Sequence, residues 1–118
     1  MVIVSDTNIL SSLAAADALP LLLQLFPDDT IYIPPAVEQE LQTALAFGRR
    51  HVERVLVALT AGMICRIELT AVERAQMATL PSPLHAGERE GIVLCQARKS
   101  LFLTNDRRAI RFCEAQAI

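Results

Sequence analysis

The length, composition and charge of the chain exclude several classes of protein. Its 118 residues suffice for one domain, which we place at residues 1–118, and 53% of them are apolar, which excludes intrinsic disorder. The net charge is only −2, and no apolar run is long enough to cross a bilayer. Because no basic segment precedes the first apolar run, we expect a cytoplasmic protein without a membrane partner.

Strands and helices alternate along the predicted chain. Apolar runs that stop at polar residues or proline predict short strands, and apolar residues spaced three and four apart predict helices. Thr70 and Glu73 have the spacing of a capping box, which begins a helix. In chain order we predict a strand at 2–4, a helix at 9–16, a helix capped by Asp17, a strand at 30–33, helices at 35–47 and 49–61, an edge strand at 63–67, a helix after Thr70, a helix at 87–99, a strand at 101–103 and a helix at 107–117. This alternation predicts an α/β fold with three or four parallel strands.

The charges are unevenly distributed along the chain. Residues 1–48 contain six acidic residues and no Lys or Arg, whereas residues 49–118 contain all eleven basic residues and a net charge of +4. A carboxylate-rich part beside a basic part suits a metal-dependent site that acts on a polyanion. An ordinary solvated surface explains the same asymmetry, so charge alone does not decide between them.

Two predicted strands end in a similar way, with polar residues that include a carboxylate. Asp6 follows the first strand and Asp106 follows the last. In open α/β sheets, ligands bind at the carboxyl edge of parallel strands, where both carboxylates would lie. Capping of the next helix is the commoner role for either aspartate taken alone.

Further acidic residues lie near the starts of two predicted helices. Glu40 falls in the second turn of one, and Glu88 and Glu90 fall in the first turn of another. If the helix starts reach the same sheet edge, four carboxylates converge, and such close like charges require a cation. Hard divalent cations, Mg²⁺ in particular, prefer carboxylate oxygens. Each acid alone is better explained as a cap or a surface residue, but the set together favours a metal site.

Glu88 and Glu90 are two positions apart, so they point about 200° apart around a helix. The helical wheel places Glu90 nearer to the apolar side, with Gly91 and Leu94. We therefore expect Glu90 to be the inward metal ligand and Glu88 to be an outer or water-mediated partner.

The order of these segments resembles the PIN domain family, which includes the VapC-type toxins of toxin–antitoxin modules. The resemblance extends over nearly the whole chain and rests on Val-Ser-Asp-Thr-Asn at 4–8, Val-Glu-Gln-Glu-Leu at 37–41, Gly-Glu-Arg-Glu at 87–90 and Leu-Thr-Asn-Asp-Arg at 103–107. It implies a Rossmann-like three-layer α/β/α fold with a short central parallel sheet, here without the closing strand that is usual in the family. It also implies a ribonuclease that depends on Mg²⁺ or Mn²⁺ and is often dimeric.

Carried over residue by residue, the resemblance implies a set of site residues. The acidic cluster would be Asp6, Glu40, Glu90 and Asp106, with Glu88 as a further metal ligand. The polar neighbours that orient carboxylates or metal-bound waters would be Thr7, Asn8, Thr104 and Asn105. Basic residues that directly follow Asp106 are expected to bind RNA phosphates, although a solvated helix face explains them equally well; they are Arg107, Arg108 and Arg111.

Two functions follow from these residues. The first is a metal-dependent endoribonuclease that hydrolyses phosphodiester bonds in single-stranded or structured RNA. As the toxin of a type II module it would have a cognate antitoxin and would form a homodimer, through the apolar residues Leu21, Leu22 and Leu25. The alternative is a PIN-like module with weak or no catalysis that binds RNA or protein.

Overall fold

Four parallel strands form the sheet in the part of the chain that the structure, a computed structural model, describes. That part comprises residues 2–80, 84–104 and 110. The strands lie in the order β3-β2-β1-β4, which confirms the predicted parallel α/β sheet. Their bounds are β1 (Val2–Ser5), β2 (Thr30–Ile33), β3 (Ile64–Arg66) and β4 (Leu101–Leu103).

The helices of the described residues connect these strands. Two of them are extended by a 3₁₀ turn, at Arg50–Val52 before α4 and at Met77–Thr79 after α5. Every one of these helices is too short or too polar for a transmembrane segment. The bounds are α1 (Thr7–Ala15), α2 (Leu19–Leu25), α3 (Pro35–Ala46), α4 (Glu53–Thr60), α5 (Ala71–Gln76) and α6 (Ala86–Arg98).

The sheet separates two apolar clusters and so forms the middle of three layers. Consecutive residues of a strand point to opposite faces, and Ile3 and Val4 of β1 are both completely buried. Ile3 belongs to the cluster formed with α1 to α4, whereas Val4 packs with Ile92 and Leu94 of α6. This arrangement confirms the predicted α/β/α layers. It also places the starts of α1, α3 and α6 near the carboxyl ends of β1 and β2.

Two local predictions are wrong, and both concern turns. Asp17 does not cap α2, which begins at Leu19 after an N-cap at Ala18. Asp17 instead has a φ of +56° and lies 3.4 Å from Arg54. An N-cap residue has extended backbone, so a left-handed Asp17 cannot serve as one. The single helix predicted over residues 49–61 is divided into a 3₁₀ turn and α4.

The predicted capping box at α5 is confirmed and is joined by a distant arginine. The Thr70 hydroxyl accepts from the Glu73 N–H at 3.2 Å, and Glu73 Oε1 accepts from the Thr70 N–H at 2.8 Å. Arg98, at the end of α6, donates to both Glu73 oxygens at 2.8 and 2.9 Å. The Arg98 hydrogen bonds lower the pKa of the buried Glu73 carboxyl to about 2, and the backbone bond to Thr70 acts in the same direction. This ion pair therefore connects α5 to α6.

Replacing Glu73 with glutamine removes the charge that Arg98 binds. Glu73→Gln should lower the free energy of unfolding at pH 7 by about 1–2 kcal/mol, after allowance for the solvent that screens the partly exposed Arg98. Because the pKa of Glu73 is lowered from 4.5 to about 2, the wild-type advantage should be complete above pH 4.5 and should disappear as the pH falls towards 2. Urea unfolding at several pH values measures this difference.

Glu68→Gln is the matched control for this prediction. The Glu68 carboxylate is exposed and lies 4.0 Å from Arg74, so its loss should change the free energy of unfolding by less than about 0.5 kcal/mol. A difference between wild type and Glu73→Gln that stays constant from pH 7 to pH 2 would contradict the assigned role of the ion pair.

Candidate active site

Asp6 lies at the carboxyl end of β1 and is held from two sides. Its Oδ1 accepts from the Ile9 N–H at 2.9 Å and so caps α1, as the sequence predicts for an Asp in this position. The Thr104 hydroxyl, directly after β4, donates to Oδ2 at 2.5 Å. Asp6 is only 2% exposed. Because a carboxylate oxygen can accept more than one hydrogen bond or ligand, capping and metal binding do not exclude each other.

Glu40 connects the starts of α1 and α6. The Thr7 hydroxyl donates to its Oε2 at 2.9 Å, and the Gly87 N–H donates to its Oε1 at 2.9 Å. The first N–H groups of a helix have no partner within the helix and favour a negative charge. A Cβ on Gly87 would lie 2.6 Å from Glu40 Oε1 and 2.9 Å from a methyl group of Val37. The glycine therefore allows the close approach of Glu40 to α6.

Glu88 and Glu90 are both buried but lie in different surroundings. Glu88 lines a cavity beside Asp6 and Glu40. Glu90 Oε1 accepts from the Ala36 N–H at 2.9 Å, and its Oε2 lies 3.7 Å from Arg74. The N-cap residue of α3 is Pro34, whose side chain has no hydrogen-bond acceptor. Glu90 therefore provides the acceptor at the start of α3.

The helical wheel had favoured Glu90 over Glu88 as the inward residue, and the structure places Glu88 at the cavity. The reason is that α6 is buried on nearly every side. All its residues from Gly87 to Cys95 are buried except the half-buried Arg89. A contrast between polar and apolar faces therefore does not identify the direction of the site.

The acidic pocket is a cavity of about 190 Å³ at the carboxyl edge of the sheet. No Lys or Arg is among the described residues that line it. His85, the N-cap residue of α6, is a lining residue that the sequence reasoning did not assign to the site. The sequence feature that could have identified His85 is its position two residues before Gly87, at the start of the helix that bears Glu88. The lining residues are Asp6, Thr7, Asn8, Glu40, His85 and Glu88.

The predicted site residues therefore divide into three groups. Five line the acidic pocket, namely Asp6, Thr7, Asn8, Glu40 and Glu88. Thr104 contacts Asp6, and Glu90 contacts the start of α3, without lining the pocket. The others lie outside the described residues, as does most of the predicted last helix, and they are Asn105, Asp106, Arg107, Arg108 and Arg111.

The donor atoms of the acidic pocket suit a hard divalent cation. Three carboxylates, a hydroxyl and an amide supply oxygen ligands, and no thiol is present among the lining residues. Within residues 2–80, 84–104 and 110, no three His, Cys, Asp or Glu side chains are close enough to hold a metal ion. The residues thus fit Mg²⁺ or Mn²⁺ by their chemistry, and binding would require the carboxylates to move closer together.

Comparison with known proteins places the chain in a family. The fold and the acidic pocket define an α/β protein with carboxylates at the carboxyl edge of a parallel sheet. A model of a PIN-domain family matches residues 2–118, so the chain belongs to the PIN-domain family, whose members are generally nucleases. No curated protein sequence matches the chain.

A solved structure shows the same fold. It is the crystal structure of VapBC2 from Rickettsia felis bound to a DNA fragment from their promoter. The TM-score is 0.73, the match covers 94% of this chain and 92% of that chain, and the sequence identity is 18%. This similarity confirms the PIN-like architecture.

The close contact at Gly87 gives a prediction for the pocket. In Gly87→Ala the new methyl group should displace the Glu40 carboxylate, because Glu40 Oε1 is the atom nearest to the added Cβ. We expect Mn²⁺ affinity, measured by calorimetry, to fall about tenfold or more, as for other changes in residues that support metal ligands.

Gly91→Ala is the control on the same helix. Its Cβ would overlap the ring of Phe102 on β4, away from the acidic pocket. This variant should lower the free energy of unfolding by about 1–3 kcal/mol while the folded protein keeps its Mn²⁺ affinity. Equal Mn²⁺ affinities in Gly87→Ala and wild type would show that the position of Glu40 does not control cation binding.

Proposed function

We propose that the protein is a metal-dependent endoribonuclease whose site is the acidic pocket. The observation that supports this most is the grouping of Asp6, Glu40 and Glu88, which come from three separate elements, around one cavity. Membership of the PIN-domain family supports nuclease activity in general. The basic residues of the second part of the chain favour a polyanionic substrate, and RNA is the substrate that we propose.

The residues of the chain would hold the ion and keep it in place. Asp6, Glu40 and Glu88 would be the ligands for Mg²⁺ or Mn²⁺, which when bound supplies positive charge to the phosphodiester and makes a water molecule more acidic. Asp6 is oriented by Ile9 and Thr104, and Glu40 is oriented by Thr7 and Gly87. These hydrogen bonds keep both carboxylates beside the same cavity.

Glu88, rather than Glu90, is the ligand that we propose from α6. Glu90 is a positioning residue in this proposal, because its contacts with Ala36 and Arg74 fix the start of the helix that bears Glu40. Asp106 remains the proposed fourth acid, since it follows β4 two residues after Thr104, which contacts Asp6. Phosphate binding by Arg107, Arg108 and Arg111 likewise remains a proposal.

A second candidate function is a PIN-like module that binds RNA or protein without cleaving it. The observation in its favour is that no three described side chains are close enough to hold a metal. An antitoxin is a proposed partner under either function, because the similar structure from Rickettsia felis contains VapBC2. Leu21 and Leu25, which are 59% and 73% exposed on α2, are the surface that we propose for a homodimer. Leu22, which was predicted for the same surface, is instead buried in the apolar core.

Cleavage of a labelled single-stranded RNA in the presence of Mn²⁺ tests the proposed function. Wild type should cleave, EDTA should stop the reaction, and Asp6→Asn should be at least about 100-fold slower, because the charge that binds the ion is lost. Asparagine caps helices as well as aspartate does, so the fold should survive the change. The control is Asp28→Asn at an exposed position, which should cleave like wild type.

Equal cleavage by wild type and Asp6→Asn would mean that the acidic pocket is not catalytic. No cleavage by wild type, together with no saturable Mn²⁺ binding in calorimetry, would support the binding module.

Glu88→Gln and Glu90→Gln separate the two candidate ligands on α6. Glu88→Gln should lower kcat as strongly as Asp6→Asn does while the melting temperature hardly changes. Glu90→Gln should keep kcat within about tenfold of wild type but lower the melting temperature, because the contact with Arg74 is weakened. A large loss of kcat in Glu90→Gln, with kcat nearly unchanged in Glu88→Gln, would show that Glu90 and not Glu88 is the metal ligand.

A further inference from the structure

A second cavity, of about 530 Å³, lies beside α3. We call it the α3 groove. Glu40 lines both cavities, so the groove and the candidate site are adjacent at this residue. Its walls include Gln39, Glu40, Thr43, Ala44, Phe47 and Arg49.

The residues of the α3 groove follow one face of the helix. Glu40, Thr43 or Ala44, and Phe47 are separated by three and four positions, so they lie on successive turns. Phe47 is seven residues from Glu40, which corresponds to about 10 Å along a helix axis. The groove therefore runs from the carboxylates, past small side chains, to an aromatic ring.

Phe47 is the large apolar side chain of the groove, and it is 83% exposed. It is the C-cap residue of α3, whose buried residues are Val37 and Leu41. Gly48 follows with a φ of +91°, a turn that glycine adopts readily, and Arg49 then also lines the groove. Phe47 and Arg49 thus lie at the end of the groove that is remote from Glu40.

We propose that the α3 groove binds the nucleotide next to the cleaved phosphate of an RNA strand, with its base stacked on Phe47 and its outer phosphate bound by Arg49. This inference rests on the proposed function for the position of the cleaved bond. An aromatic ring stacks on any base, and arginine pairs with phosphate oxygens. The groove volume is also in the range of pockets that hold a small ligand.

The chemistry of the groove favours a nucleotide over an apolar peptide. Among the described residues that line the groove, Phe47 is the one large apolar residue, whereas a helix-binding groove presents several such residues in a row. A cation at one end and the acidic pocket at the other suit a strand whose outer phosphate is paired with arginine while another phosphate enters the pocket. A single ring implies a subsite for a single base.

The test measures equilibrium binding of a fluorescein-labelled ten-nucleotide single-stranded RNA by anisotropy in EDTA, so that no cleavage is needed. Phe47→Ala should weaken binding about fivefold or more, the lower end of the range for loss of one stacked base. Phe47→Tyr, which keeps the ring, should bind within twofold of wild type. Val57→Ala is the matched control, because Val57 is also a large exposed apolar residue but lies on α4.

RNAs with one abasic position identify the partner of the ring. Removal of one particular base should weaken RNA binding by wild type about as much as Phe47→Ala does. Removal of the same base should not weaken RNA binding by Phe47→Ala any further. Arg49→Ala should weaken binding to intact and abasic RNA equally. The inference would be overturned if Phe47→Ala bound RNA as tightly as wild type, or if wild type did not bind RNA. It would also be overturned if removal of the ring and removal of the base weakened binding independently. A Phe47→Ala variant that lost a protein partner but still bound RNA normally would likewise contradict it.

These outcomes are separate from those of the proposed function. If wild type binds RNA through Phe47 and one base but cleaves nothing in Mn²⁺, the subsite stands and the nuclease proposal fails. If Phe47→Ala cleaves and binds RNA as wild type does, the nuclease proposal stands and the subsite fails. In a cleaving enzyme, Phe47→Ala should raise KM more than it lowers kcat, since the ring is remote from the acidic pocket.

Discussion

The contact between Glu40 and Gly87 is the constraint on which the geometry of the site depends. One carboxylate accepts hydrogen bonds from the first residue of α1 and from the first turn of α6, so it fixes the separation of two helices that approach from opposite faces of the sheet. Glu90 adds a second connection between α6 and α3 through the Ala36 N–H. The acidic pocket lies where these helix starts meet the end of β1. Its shape thus follows from two glutamates and one glycine.

The same arrangement gathers negative charge where little water is available. Asp6 and Glu88 are almost completely buried beside Glu40, and like charges at such positions destabilise a fold unless other groups compensate. Backbone N–H groups at helix starts and the hydroxyls of Thr7 and Thr104 provide part of that compensation. In the proposed function, a bound cation would add to this compensation.

Local patterns in the sequence predicted much of the fold, because short-range physics determines those elements. The strand at 30–33 and the capping box of Thr70 and Glu73 lie where their residue types predict. The prediction that Asp17 caps α2 was wrong because Asp17 adopts a left-handed turn after α1, a conformation that aspartate also tolerates. The sequence pattern does not distinguish these two uses of aspartate.

Part of the lining of the acidic pocket was predictable from the sequence, but its geometry was not. Asp6 and Glu40 were identified from their places at a strand end and a helix start, and both line the acidic pocket. The choice between Glu88 and Glu90 depends on which neighbours surround a fully buried helix, and His85 enters through the same tertiary packing. The role of Glu90 at α3 likewise arises because Pro34 cannot cap its own helix.

A crystal structure of the protein soaked with Mn²⁺ would test the central claim most directly. The account predicts an anomalous scattering peak within about 2.0–2.5 Å of oxygens from Asp6, Glu40 and Glu88, with Glu90 still bonded to the Ala36 N–H. A peak ligated by Glu90 instead of Glu88 would contradict the assignment of the ligands. An intact pocket without any peak at millimolar Mn²⁺ would contradict the claim that these carboxylates form a metal site.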